Sequence, residues 1–201
     1  MKFYCIFLLS ILFSWHTYAQ KTGIEKLSKS KIDSLRSERV DTILWYHSYC
    51  GDCWFKKTDA PIKYYNCPVE SGYDLACNVI IYRQKGEYFI LNFDCTNFVM
   101  KRRLDTSKSI PYFVSIISTL NARDKAIKEL DKKNDKYLLG AMQMDGFFNE
   151  ADIYCNKISQ HVRMTDTETT DKYYKKYFWI DKQIKLFELI SSDIAVKKSN
   201  Q

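Results

Sequence analysis

The stretch ACNVIIYRQKGEYFILNFDC, residues 76–95, carries the strongest local signal of structure in the chain. Two runs rich in β-branched and aromatic residues flank Lys85 and Gly86, and apolar residues alternate with other residues in both runs. Such alternation indicates half-buried strands, and a short connection that contains glycine indicates a tight turn. The stretch therefore predicts a β-hairpin, and a third strand is expected to follow at 97–104.

The spacing of apolar residues on either side of the hairpin predicts helices and further strands. Apolar residues lie three and four positions apart over about 22–39, over about 110–132 and from 180 towards the C-terminus, which is typical of amphipathic helices. A strand is predicted at 40–47. A second hairpin is also predicted, in which ISQHVRMTD pairs with KYYKKYFWI across a polar TETT turn.

These elements together predict an α+β fold. Strands that fall in adjacent hairpins, and that do not alternate with helices, argue against a doubly wound parallel sheet. The expected architecture is an antiparallel sheet of about four to six strands, covered on one face by two or three helices. No linker or repeat divides the chain, which contains only 3 prolines and 6 glycines, so a single domain is expected.

The N-terminus has the pattern of a secretory signal peptide. Lys2 precedes an apolar run from Phe3 to Trp15, and Thr17-Tyr18-Ala19 provides a cleavage site. The run of about 13 residues is shorter than the ~20 needed to span a bilayer. Residues 1–19 are therefore predicted to be removed, and 20–201 to form an exported domain, periplasmic or extracellular, with no membrane span.

The predicted mature chain keeps six of the seven cysteines. An even number in an exported chain suggests three disulfides, although the sequence does not choose among the pairings. Five of the six fall between positions 50 and 95, and the sixth is expected to tie the second half of the chain to the first. The disulfide candidates are Cys50, Cys53, Cys67, Cys77, Cys95 and Cys155.

Cys50-Gly51-Asp52-Cys53 offers a second interpretation. A cysteine at a helix N-terminus has a stabilised thiolate, and a second cysteine three residues later can resolve a mixed disulfide. The segment ILWYHSYCGDC resembles the thioredoxin family, in which a core strand leads into a C-x-x-C turn, and Ile110-Pro111 resembles the Ile–Pro pair that this family places beside its disulfide. The resemblance implies an oxidoreductase in which Cys50 attacks and Cys53 resolves. The hairpin and extra cysteines that follow depart from that family, so structural half-cystines are favoured.

Other catalytic chemistry finds little support in the sequence. His47, Cys50 and Cys53 form an H-x-x-C-x-x-C pattern that suits zinc, with His161 as a fourth ligand, but an oxidising compartment disfavours thiolate ligands. No metal or cofactor is therefore predicted. Hydrolase and P-loop motifs are absent from the sequence, and acids such as Glu150 and Asp152 are interpreted as solvated or capping groups.

Charge and aromatic content favour a binding protein. The net charge of +7 is spread among acids along the sequence, without the clustered basic stripe that is typical of nucleic-acid binding. In the strand predicted for KYYKKYFWI, Tyr173, Lys175 and Tyr177 would share one face, and tyrosine is a good contact residue. The predicted function is an exported, disulfide-stabilised, non-enzymatic module that binds another protein in the envelope or outside the cell. An inhibitor or immunity-type protein is the narrower hypothesis.

Overall fold

The computed structural model describes most of the chain after residue 22. The described residues are 23–51, 67–68, 74–93, 99–132, 146–156, 158–165, 168–169, 172 and 174–195. The predicted signal peptide, Cys53, Cys95 and Tyr173 lie outside them, as do the side chains of Cys50 and Cys67.

An antiparallel sheet forms the centre of the described structure. Six strands follow the order β5-β4-β3-β1-β6-β7, and the short β2 pairs with the start of β3. This confirms the predicted α+β class and the antiparallel sheet. The strands are β1 (Thr42–Gly51), β2 (Cys67–Pro68), β3 (Asp74–Gln84), β4 (Glu87–Phe93), β5 (Val99–Leu104), β6 (Gly146–Cys155) and β7 (Ile158–Thr165).

The predicted hairpin is confirmed as β3 and β4. Lys85 and Gly86 connect the two strands with φ angles of 51° and 85°. Positive φ at both central residues defines the turn whose twist matches that of the flanking strands, and glycine adopts such a conformation without steric cost. The third predicted strand is also confirmed, as β5, which pairs with β4.

Three helices pack on the sheet, and they cover both of its faces. They are α1 (Gly23–Ser37), α2 (Ser109–Lys132) and α3 (Ile180–Ala195). Helix α1 buries Ile24, Ile32 and Leu35 against one face, together with Ile43 and Ile80 of the sheet. Helices α2 and α3 pack on the opposite face. The expectation that helices cover only one face was wrong, because β1 and β3 carry apolar residues on both of their faces.

The face under α2 and α3 holds the largest apolar cluster. Leu44, Ile81 and Ile153 from the central strands are fully buried there, and Phe113 of α2 and Leu186 of α3 pack against them. The two helices are also joined by a polar contact. The buried carboxylate of Asp193 in α3 accepts hydrogen bonds from both Ser107 and Ser109 at the start of α2. It thereby caps the N-terminus of α2 from a different helix.

The predicted second hairpin was wrong. β7 pairs with β6 through a tight connection in which Asn156 has a φ angle of 55°. The segment KYYKKYFWI contains a 3₁₀ turn at Tyr174–Lys176 and then enters α3. Tyr174 and Trp179 are buried in this segment, beside half-buried apolar residues of α2. Packing against α2 has therefore overridden the strand propensity of the aromatic run, and β6 supplies the pairing that β7 needs.

Side chains from α2 and α3 cover the outer edge of β7. The guanidinium of Arg123 donates to the carbonyl of His161 at 2.7 Å, and the side-chain amide of Gln183 donates to the carbonyl of Arg163. An uncovered edge strand exposes backbone groups that can pair with another chain. These two contacts remove carbonyls of β7 from such pairing.

Candidate functional site

A cluster of aromatic side chains lies between the 3₁₀ turn and the start of α3. The rings of Tyr177 and Trp179 are stacked, with centroids 4.8 Å apart and an interplanar angle of 17°. Phe178 meets Trp179 edge-on, with centroids 5.0 Å apart. Trp179 is 4% exposed, whereas Phe178 is 58% exposed and is the most exposed large apolar residue in the described chain. The exposed ring of Phe178 therefore packs on the buried ring of Trp179, which is itself stacked on Tyr177.

Three lysines lie close to Phe178 in the sequence. Lys172, Lys175 and Lys176 are all exposed, and the ammonium of Lys176 lies 5.2 Å from the centroid of Tyr177. We call Lys172, Lys175, Lys176, Tyr177 and Phe178 the aromatic–basic surface. Aromatic residues dominate the energetics of protein-binding surfaces, and polar residues are common at the edges of such surfaces.

Two of the predicted binding-face residues, Lys175 and Tyr177, belong to this surface. The strand alternation used to group them was wrong, because the segment turns in a 3₁₀ helix at that point. Sequence reasoning missed Phe178. In a strand it would have shared a face with Tyr174, whereas in the structure Tyr174 is buried and Phe178 is exposed. No local sequence signal separates Phe178 from its aromatic neighbours.

Of the C-x-x-C segment, the structure describes only the backbone of Cys50 and Gly51. β1 extends to Gly51, so Cys50 lies within a strand whose partners at that position are Asp74 and Phe147. Both neighbours of β1 are antiparallel to it, and Pro111 lies in the first turn of α2. A helix N-terminus directly at Cys50, which would stabilise its thiolate, is therefore absent from this part of the structure.

The two cysteines whose side chains are described are free thiols. Cys77 is paired in the sheet with Ser48, and Cys155 is paired with Thr42. Six residues of extended strand separate these two positions of β1, or about 20 Å, whereas a disulfide needs Cα atoms within about 7 Å. A bond between Cys77 and Cys155 is thus excluded, and the structure does not confirm the predicted disulfide stapling.

Both histidines of the predicted mature chain lie on the α1 face of the sheet, each bonded to an acid. Nε2 of the buried His47 lies 2.9 Å from Oε2 of Glu150, whose other oxygen is 3.4 Å from Nε of Arg163. Two residues further along β6, Oδ1 of Asp152 lies 2.9 Å from Nδ1 of His161. We call these five residues the histidine–acid network. The sequence contained all of them, but only the registers of β1, β6 and β7 bring them together.

The network shifts the pKa values of its members in the directions that ion pairing predicts. The hydrogen bond from His47 lowers the pKa of Glu150, although burial opposes this effect. The hydrogen bond to Asp152 raises the pKa of His161, again against the effect of burial. Beside them, burial raises the pKa of Tyr49, whose hydroxyl lies 3.4 Å from the carboxylate of Glu25. The carboxylate of Glu150 is therefore held ionised, and the imidazole of His161 favours its proton.

The zinc hypothesis concerns His47, Cys50, Cys53 and His161, and the side chains of the two cysteines lie outside the described residues. Among the described side chains, no group of three or more His, Cys, Asp or Glu residues is arranged to hold a metal ion.

Comparison with protein-family models, with curated proteins and with solved structures found no match to this chain. Within the part of the chain that the structure describes, no helix is both long enough and apolar enough to cross a membrane.

Proposed function

We propose that the protein is an exported, non-enzymatic module that binds another protein through the aromatic–basic surface. The observation that carries this proposal is Phe178, which is 58% exposed while the tryptophan beneath it is 4% exposed. An exposed apolar patch with a polar rim is common where a partner protein binds, and Phe178 with the half-buried Tyr177 forms the apolar part of the aromatic–basic surface. Export rests on the N-terminal sequence pattern alone.

The packing of Phe178 lowers the cost of binding. Burying a phenylalanine side chain contributes about 1.5–3 kcal/mol, but ordering a mobile side chain at an interface costs about 0.5–1.5 kcal/mol. Edge-on contact with Trp179, itself stacked on Tyr177, restricts Phe178 before the partner arrives. Such a preorganised aromatic anchor is typical of an interface hot spot.

The surrounding charges define the chemistry of the partner. The rim carries Lys172, Lys175 and Lys176, so the complementary surface has an apolar pocket for Phe178 bordered by carboxylates. Charge complementarity of this kind raises the association rate and selects among partners. A protein of the cell envelope or the extracellular medium fits the proposed compartment, and an inhibitor or immunity-type role is the narrower form of the proposal.

Site-specific photo-crosslinking tests this surface and captures the partner protein whatever its identity. A photoreactive phenylalanine analogue is placed at Phe178 and, as a matched control, at Val114 of α2, which is 50% exposed. In cells that produce the protein naturally, we expect a discrete protein adduct from position 178 and none from position 114. Excess unlabelled protein should suppress the adduct, whereas excess Phe178→Ala protein should not.

Two results contradict the proposal. Equal adducts from both positions indicate nonspecific capture, and absence of any adduct at position 178 indicates that the surface has no partner. Replacement of Lys175 by Glu provides an independent check, because reversal of one rim charge should lower the adduct yield and make it less sensitive to salt. The same reversal at Lys125, an exposed lysine in the middle of α2, should leave the yield unchanged.

A further inference from the structure

A cleft on the α1 face lies where the end of α1 meets the start of β1 and the β6–β7 connection. Its volume is about 730 Å³, which falls within the range of small-molecule sites. The lining includes the cationic groups of Arg36 and Arg39 and the uncharged polar side chains of Tyr154, Asn156 and Ser159. The lining also includes the apolar side chains of Val40, Ile43 and Ile158. Asp41 is the single acidic residue of the lining.

The two arginines of the cleft differ from three other arginines in the described part of the chain. Arg103, Arg123 and Arg163 each form an ion pair with a carboxylate. Within the described residues, the guanidiniums of Arg36 and Arg39 have neither a carboxylate nor a carbonyl as a hydrogen-bond partner. The guanidinium of Arg36 instead lies 5.2 Å from the centroid of the Tyr154 ring, an arrangement that orients its planar donors. Both groups therefore have unused donors at the cleft.

The backbone at the cleft supports a role beyond stability. Arg39 has a φ angle of 57°, in the left-handed conformation that glycine usually provides after a helix. Asn156, which also lines the cleft, has a φ angle of 55°. A basic residue in the last turn of α1 complements the helix dipole, which accounts for Arg36 in part. It does not account for an arginine at position 39, where glycine would relieve the backbone strain.

We propose that this cleft binds a small phosphate ester of about nucleotide size. Guanidinium groups offer paired donors that match the oxygens of a phosphate group, and the Asn156 amide and the Ser159 hydroxyl add uncharged hydrogen-bonding groups nearby. The apolar residues of the lining would contact the organic part of the ester. This inference is independent of the aromatic–basic surface, which contains none of these residues.

Calorimetric titration of the purified protein at constant ionic strength tests the proposal with three probes: adenosine 5′-monophosphate, inorganic phosphate and adenosine. We expect the monophosphate to bind more tightly than inorganic phosphate, because it also contacts the apolar lining. We expect no binding of adenosine. Binding should shift the backbone amide signals of Asn156 and Ser159 in a heteronuclear NMR spectrum.

The variant Arg39→Gly separates a binding role from a structural one. Glycine accepts the positive φ angle, so the folded protein should be at least as stable as the wild type. The affinity for the monophosphate should nevertheless fall tenfold or more, which corresponds to about 1.4 kcal/mol. Lys101→Ala removes one exposed positive charge from the distant strand β5 and should not change the affinity.

The proposal is overturned if neither phosphate-containing probe binds at concentrations up to about 10 mM, which corresponds to a very weak complex. It is also overturned if Arg39→Gly binds the monophosphate as the wild type does, or if Lys101→Ala weakens binding equally. The last result would indicate a general effect of net charge.

Discussion

The two faces of the sheet differ in what covers them. On the face under α2 and α3, Leu44, Ile81 and Val162 are fully buried in one apolar cluster that extends from β5 to β7. On the α1 face, the apolar cluster is centred on β1, β3 and β4. Four of the five residues of the histidine–acid network lie on β6 and β7, and the fifth, His47, lies on β1. Six paired strands about 4.8 Å apart span roughly 24 Å, whereas one helix is about 10 Å across. Two helices cover such a sheet, but a single helix covers only about half of it.

This difference shows where ionisable side chains can lie in the fold. Residues under two helices are excluded from water and must be apolar or fully bonded. Beside α1, the uncovered strands can carry ionisable groups that keep partial contact with solvent, and the cleft with Arg36 and Arg39 lies at the same side of the sheet. The predictions below test this contrast, beginning with the largest expected effect.

Phe113→Ala should cause the largest loss in the free energy of unfolding. Phe113 lies at the face of the sheet that α2 and α3 cover. Phe113 is fully buried against the sheet, and truncation of a buried phenylalanine costs about 3–5 kcal/mol through lost burial and an unfilled cavity. The adjacent Val114 is 50% exposed, so Val114→Ala should change the free energy of unfolding by less than about 1 kcal/mol. Urea denaturation measures both values. Similar losses for the two variants would show that α2 does not seal this face.

Cys77 should be almost unreactive in the folded protein. It is half-buried against the apolar cluster under α2 and α3, and burial raises the pKa of its thiol from 9.0 to about 12. This shift leaves roughly a thousand-fold less thiolate at a given pH. Alkylation at pH 8, followed by peptide mapping, should label Cys77 only after denaturation. Rapid labelling in the folded state would contradict the burial, and no labelling in denaturant without reductant would reveal a disulfide.

Glu150→Ala should destabilise the protein by about 2–3 kcal/mol, because the buried ring of His47 loses its charged partner. Glu87→Ala breaks the exposed ion pair with Arg103 and should cost less than about 1 kcal/mol.

The pKa of Glu150 is lowered in the folded state. Its stabilising contribution is therefore present above the ordinary glutamate pKa and is lost as the pH falls through the lower folded value. In urea denaturation at decreasing pH, Glu150→Ala should consequently converge with the wild type, and a gap that persists in acid would contradict the ion pair.

His161→Gln should have the smallest effect, and one that depends on pH. The folded-state pKa of His161 is raised above 6.5 by Asp152, so its contribution is fully present below pH 6.5 and is lost as the pH rises through the folded value. We expect less than about 1 kcal/mol, because the side chain is 55% exposed. Denaturation curves at pH 5.5 and pH 8.5 measure the difference between wild type and variant. A constant difference, or one that grows with pH, would mean that His161 and Asp152 do not interact as charges.

Elements with strong periodicity were predictable from the sequence. The β3–β4 hairpin, β5 and the three helices follow from alternation, turn residues and helical spacing, which are local properties of the chain. The segment KYYKKYFWI was not predictable in this way. Its aromatic residues favour a strand, but contacts of Tyr174 and Trp179 with α2 decide its conformation, and α2 is distant in the sequence.

The candidate sites depended still more on distant contacts. Lys175 and Tyr177 were found by composition, whereas Phe178 was missed because its exposure depends on how the segment packs. Glu150 and Asp152 were interpreted as solvated acids, because sequence spacing alone does not show which strand lies opposite. The register of β6 with β1 and β7 places these two acids beside His47 and His161.

Local sequence patterns were sufficient to predict the β3–β4 hairpin, β5, the three helices and the antiparallel α+β class. Residues a few positions apart set these properties, because backbone conformation responds to neighbouring side chains and to their periodicity. Only the tertiary structure decided that helices cover both faces, that Cys77 and Cys155 lie too far apart to bond, and that Phe178 faces solvent. These outcomes depend on strand register and on helix packing, which join residues separated by many tens of positions and therefore leave no local trace.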